Sequence, residues 1–110
     1  MDITMNARHC SVPESIRKQA QARLERLQRF EPRMLGATVT YLAENGVKQV
    51  DIRAVIKGGP PQVGHGAGPT FRYALDRAMD RMERQVKRRR DRRRTYRTRS
   101  TAPVEAPISA

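Results

Sequence analysis

A single α+β domain of order β-α-β-β-β-α, with two helices on one face of a four-stranded, mostly antiparallel sheet, is the fold this sequence predicts. Three observations predict it. Two long segments carry apolar residues at helical spacing. The stretch between them alternates like strands and contains an Asn-Gly pair suited to a two-residue hairpin turn. The clearest strand is apolar on one side only, so both helices must pack against that side and leave the other wet. A chain of 110 residues fits one domain.

The elements follow in order. Met1–Met5 reads as a short strand with Met1, Ile3 and Met5 on one face. Ser11-Val12-Pro13-Glu14 has the spacing of a capping box, with Ser11 as the cap and Glu14 reaching back to it. The first helix is expected to run to about Phe30, burying Ile16, Ala20, Leu24, Leu27 and Phe30 and carrying Arg17, Lys18, Arg26 and Arg29 on its other side. Pro32 ends it. Gly36–Leu42 and Val47–Ile56 are strands about the Asn45-Gly46 turn; Val50, Ile52, Ala54 and Ile56 share the buried face, and Gln49, Asp51 and Arg53 the solvated one. Gly58-Gly59-Pro60-Pro61 is a turn. Gln62–Ala67 is placed as the fourth strand by its position alone, because Gly64 and Gly66 lower its strand propensity. Thr70 caps the second helix, which is expected to reach about Arg94, closing a domain over residues 1–94. Ser100–Ala110 has small residues and two prolines, and residues 95–110 are expected to form a disordered tail.

Charge is the strongest functional signal. The net charge is +12, from 23 Lys and Arg against 11 Asp and Glu. Residues 72–99 hold thirteen basic and four acidic residues, a net of +9. Such a balance calls for a polyanionic partner. In the second helix Phe71, Leu75, Ala78, Met79, Met82 and Val86 form the apolar stripe. The next eight residues, Lys87 to Arg94, contain seven cations, so this end is expected to project past the sheet. At helical spacing Arg77, Arg81, Arg84 and Arg88 fall on one stripe, and Asp76, Asp80 and Glu83 on the adjoining one. A ridge of one sign running into a basic extension is what following a phosphate backbone requires, since each neutralised phosphate releases counterions. The bias to Arg suits planar, two-pronged phosphate contacts and stacking on unpaired bases, for which Tyr96 is a further candidate.

Other classes find less support. Cys10 is the lone cysteine, and with His9 and His65 it offers no four-ligand metal set. Cys10 beside His9 lacks an orienting acid, so no enzyme constellation is present. No Gly-x-x-x-x-Gly-Lys pattern supports nucleotide binding. No cofactor and no small-molecule substrate are expected. Lys87–Arg99 offers only Tyr96 as a bulky apolar group, so a membrane-surface helix is disfavoured; the start of the chain lacks the apolar core of a secretory signal, and no stretch is long enough to span a bilayer. A cytoplasmic location follows as an expectation.

The residues also carry a family resemblance. Ile3-Thr4 and Arg8-His9 resemble the opening strand and loop of the ribosome hibernation-promoting factors, also known as ribosome-associated inhibitors or sigma-54 modulation proteins; Asn6-Ala7 reads as a small insertion there. Ser15-Ile16-Arg17 resembles the start of the family's first helix, and Leu27 with Phe30 its end. Ala74-Leu75-Asp76 through Met79-Asp80-Arg81-Met82-Glu83-Arg84-Gln85-Val86 resembles the second helix leading into its basic end. The likeness covers about residues 1–94. It implies the same fold and a partner, the small ribosomal subunit with its 16S rRNA, bound in the channel used by messenger RNA and tRNA anticodon arms. It implies that translation is blocked under stress or in stationary phase. By position, Arg81, Arg84, Arg88, Arg90 and Arg92 are the implied rRNA contacts. The charge stripe adds Arg77, Lys87, Arg89, Arg93 and Arg94. The chain matches the short form, without a second, dimer-forming domain, so a self-dimer is not expected. A generic double-stranded RNA or DNA binder, to which three strands and a helix are also similar, is the alternative.

Overall fold

The computed structural model describes residues 1–101, with side chains through Arg92. The order is β1 (Asp2–Arg8), α1 (Glu14–Phe30), β2 (Met34–Glu44), β3 (Val47–Ile56), β4 (Gln62–Gly68) and α2 (Phe71–Thr101). The strands lie in the sheet as β1-β2-β3-β4. β1 pairs parallel to β2, from Asp2↔Gly36 to Arg8↔Leu42, with α1 as the crossover that a parallel pair needs. β2–β3 and β3–β4 are antiparallel. The β2–β3 turn is the two residues Asn45 (φ 52°) and Gly46 (φ 78°), both left-handed as a tight hairpin demands. The predicted α+β fold is therefore the one observed.

Both helices cover one face. Ile16, Ala20, Leu24 and Leu27 of α1 join Val39 and Tyr41 of β2, Val50, Ile52 and Ala54 of β3, and Ala74, Leu75, Ala78, Met79, Met82 and Val86 of α2 in one core. Tyr41 is fully buried and meets Phe71 edge-on, with ring centroids 5.8 Å apart. Burial pushes its phenol up to about 12, only partly countered by the positive charge of Arg17, so it is neutral at any physiological pH. On the opposite face Asp51, Arg53, Val55, Val63 and His65 are exposed, and His65 Nδ1 pairs with Asp51 Oδ1 across β3 and β4.

Gln62–Gly68 is a full strand, and its glycines are the reason α2 can reach it. A Cβ on Gly64 would lie 2.4 Å from the Ala78 carbonyl oxygen, and one on Gly66 would lie 2.1 Å from that of Ala74. The helix backbone rests directly on the strand backbone, with Ala74 and Ala78 as its small contacting residues. Low strand propensity is offset by tertiary packing.

Several local expectations need correction. Ser11 does not cap α1. Pro13 occupies the cap position (φ −58°, ψ 144°) without a side-chain cap bond, and its carbonyl accepts the N–H groups of Ile16 (3.0 Å) and Arg17 (3.3 Å). A Ser11 cap would need Val12 to be helical, which a following proline disfavours. Glu14 supplies first-turn negative charge instead, with Lys18 3.7 Å away. Phe30 is 37% exposed rather than buried. α2 continues to Thr101, beyond the expected end at Arg94. Thr70 does cap α2, its Oγ1 accepting the Tyr73 N–H at 3.1 Å.

Candidate nucleic-acid interface

α2 is clamped on two flanks, and its charges sort between them. The acidic flank turns toward α1. There one guanidinium, that of Arg23, meets Asp76 at 3.0 Å, Asp80 at 3.3 Å and Glu83 at 3.4 Å. Its side chain is 18% exposed, whereas the three carboxylates are half-exposed. Arg23 thereby takes up the acids that could otherwise have paired with arginines of α2 itself. Its place beside Leu24, at the border of the buried stripe, aims it at the neighbouring helix. Sequence reasoning missed it. The available signal was the repeat of Asp76, Asp80 and Glu83 on one helical stripe, which calls for a cation opposite.

The basic flank turns toward β4. Arg77, Arg81, Arg84 and Arg88 are all exposed. Among the described residues, none of the four forms an ion pair with a carboxylate of the chain. Arg77 Nη1 donates to the Tyr73 hydroxyl (3.0 Å), and its guanidinium lies 5.4 Å from that ring's centre. Arg81 Nη1 donates to the His65 carbonyl at 2.7 Å, and Gln85 Oε1 accepts the Val63 N–H at 2.8 Å. Two side chains of α2 thus cover polar groups on the free edge of β4, which would otherwise invite another strand.

Beyond Val86 the expected projection is only partial. Arg88, Arg89 and Arg92 line a polar recess with Pro61, Gln62 and Gln85. Arg89 leans on the turn before β4, close enough that a Cβ on Gly59 would sit 2.8 Å from its Nη2. Arg90 points the other way. Its Nη1 donates to the Phe30 carbonyl at 2.6 Å and its guanidinium stacks 4.5 Å from the Phe30 ring centre. Lys87 is exposed on the α1 side. The structure therefore gathers Arg77, Arg81, Arg88, Arg89 and Arg92 on the β4 flank, leaves Arg84 exposed on the helical surface beside them, and sets Lys87 and Arg90 on the other flank. The side chains of Arg93, Arg94 and Tyr96 lie outside the described residues.

Removing the Arg23 clamp has a predicted cost. Arg23→Gln leaves three carboxylates facing α1 without their cation, lowering stability by about 1 kcal/mol after solvent screening. It also exposes negative charge beside the basic ridge. Thermal melting and RNA titration are expected to show a small fall in Tm and a several-fold loss of affinity. Unchanged affinity would mean that the acids do not need masking.

The fold and this charge layout define a class: a small α+β domain whose long terminal helix presents an arginine ridge with its acids neutralised from the opposite flank. The chain belongs to the Sigma 54 modulation protein / S30EA ribosomal protein family, whose pattern matches residues 3–94. It is similar in structure to the N-terminal domain of Thermus thermophilus Protein Y, at TM-score 0.71 and 29% identity over 80% of this chain and 98% of that one. A ribosomal subunit interface protein from Coxiella burnetii shares the fold at TM-score 0.75 and 16% identity, over 83% of this chain and 99% of that one. No curated protein matches the sequence. Among the described residues, no group of His, Cys, Asp and Glu is arranged to hold a metal ion, and no helix is long and apolar enough to cross a membrane.

Proposed function

We propose that this protein binds the small ribosomal subunit through α2, contacting 16S rRNA in the channel of messenger RNA and tRNA anticodon arms, and so blocks translation in the cytoplasm under stress or in stationary phase. The observation that carries this reading is the ridge of Arg77, Arg81, Arg84 and Arg88, exposed and without carboxylate partners among the described residues, in a chain of this family. Arg89 and Arg92 continue the basic surface on the same flank, Lys87 and Arg90 add positive charge on the other, and Arg93 and Arg94 are proposed as further rRNA contacts from their place in the basic run of the sequence alone. Inhibition is steric: the bound domain occupies space that substrates need, and no bond is made or broken. One copy acts alone in this reading, since a single α2 presents the whole ridge.

The test is sedimentation through a sucrose gradient. Added protein is expected to travel with small subunits and whole ribosomes, and to dissociate steeply as salt rises, because phosphate contacts release counterions. It is expected to prefer intact subunits to naked duplex RNA at matched salt, and to depress translation of a reporter message in vitro. Equal affinity for any duplex would instead identify a generic double-stranded nucleic-acid binder.

A further inference from the structure

We infer that the groove between the end of α1 and α2 receives one unstacked RNA base, flat against Phe30. The inference rests on the ribosome-binding reading and adds a base-contacting subsite on the flank opposite the arginine ridge. The groove is lined by Arg26, Leu27, Phe30, Glu83 and Lys87. Its wall is mostly apolar, supplied by Leu27 and by a phenyl ring that the core leaves 37% exposed. Arg90 does not line the groove; stacked on Phe30 and bonded to its carbonyl, it fixes the ring from outside.

The groove's chemistry selects its occupant. A flat aromatic wall offers a stacking surface to any nucleobase. The Glu83 carboxylate, held by long contacts of 3.4 and 3.5 Å to Arg23, keeps lone pairs free to accept N–H groups from a base edge. Arg26 and Lys87, both exposed, stand on either side where the flanking phosphates of a looped-out nucleotide would run. An acyl chain would use the apolar wall alone and strand the carboxylate. An unpaired nucleotide satisfies the ring, the acceptor and the two cations together. The polyanion that complements the basic rim is the one already assigned to α2.

The test compares wild type, Phe30→Leu and Phe30→Trp for binding to small ribosomal subunits over a range of salt, with melting curves to confirm folding. Phe30→Leu is expected to bind about tenfold more weakly, the usual scale of one lost base stack. Its salt slope should stay unchanged, because no phosphate contact is lost. Phe30→Trp should restore affinity. Ultraviolet irradiation of the wild-type complex should join the peptide containing Phe30 to a nucleotide, and that product should vanish in Phe30→Leu. Full-strength binding by Phe30→Leu, or absence of the crosslink from a complex that forms, would overturn the base subsite and leave the ridge intact. If wild type does not bind subunits at all, the ribosomal reading fails and this inference fails with it.

Discussion

Changing Arg81, Arg84 and Arg88 together to glutamate is expected to abolish ribosome binding while leaving the domain folded. The three lie on the exposed side of α2 and share no ion pair with the described carboxylates, so their loss costs the fold little. Among the described residues, the one side-chain hydrogen bond removed is that of Arg81 to the His65 carbonyl, at the solvent-facing edge of β4. For binding the effect is large. Each lost phosphate contact lowers the salt slope by about one, so the slope should fall by about three. Each swap also removes two units of positive charge, so the formal +12 falls by six. Affinity at physiological salt is expected to drop at least about a hundredfold. Arg33, Lys57 and Arg53, all exposed and none on α2, make the matching control. Reversing those three removes as much charge but should leave most of the binding. Equal losses in both triple variants would mean that overall charge, not the ridge, drives association. Normal translation inhibition by the ridge variant would refute the site.

How much of this was legible in the sequence depends on which interaction decided each feature. The buried stripes of β3 and α2 were readable because periodicity reports burial directly, and the Asn45-Gly46 turn because those two residue types tolerate the left-handed backbone it requires. The segregation of arginines from acids on α2 was also readable, since it follows from helical spacing alone. Partners distant in sequence were not. Arg23 lies 53 residues from Asp76, and nothing local to α1 marks it as a clamp. Phe30 continues the apolar spacing of α1, yet by the time α2 passes beside it that helix has turned basic, so the ring meets Arg90 rather than a core. At Ser11 two local rules conflicted, and the restriction that Pro13 places on Val12 outweighed the capping box.

The glycines of β4 are the sharpest case, because propensity gave them the wrong sign, and they support the second large prediction. Gly66→Ala is expected to destabilise the domain by about 3 kcal/mol, at the upper end of overpacking effects. For a domain of this size that is a fall in Tm of more than about 10 °C. The new Cβ would meet the Ala74 carbonyl at 2.1 Å and the Ala78 N–H nitrogen at 2.7 Å. Both are helix backbone, which cannot rotate aside as a side chain can. Relief requires α2 to lift from β4, and that motion would strain the Arg81 and Gln85 bonds to the strand edge and tilt the whole ridge. Ribosome binding should therefore weaken even at temperatures where the variant stays folded. Gly46→Ala separates crowding from backbone freedom. Its Cβ would enter open space, so the only penalty is the left-handed φ of 78°, worth about 1–2 kcal/mol. It lies in the β2–β3 turn, where no atom of α2 comes within 4 Å of that Cβ, and should lower Tm without altering affinity. If Gly66→Ala instead melts like wild type and binds normally, close approach of helix to strand is not what holds the arginine ridge in place.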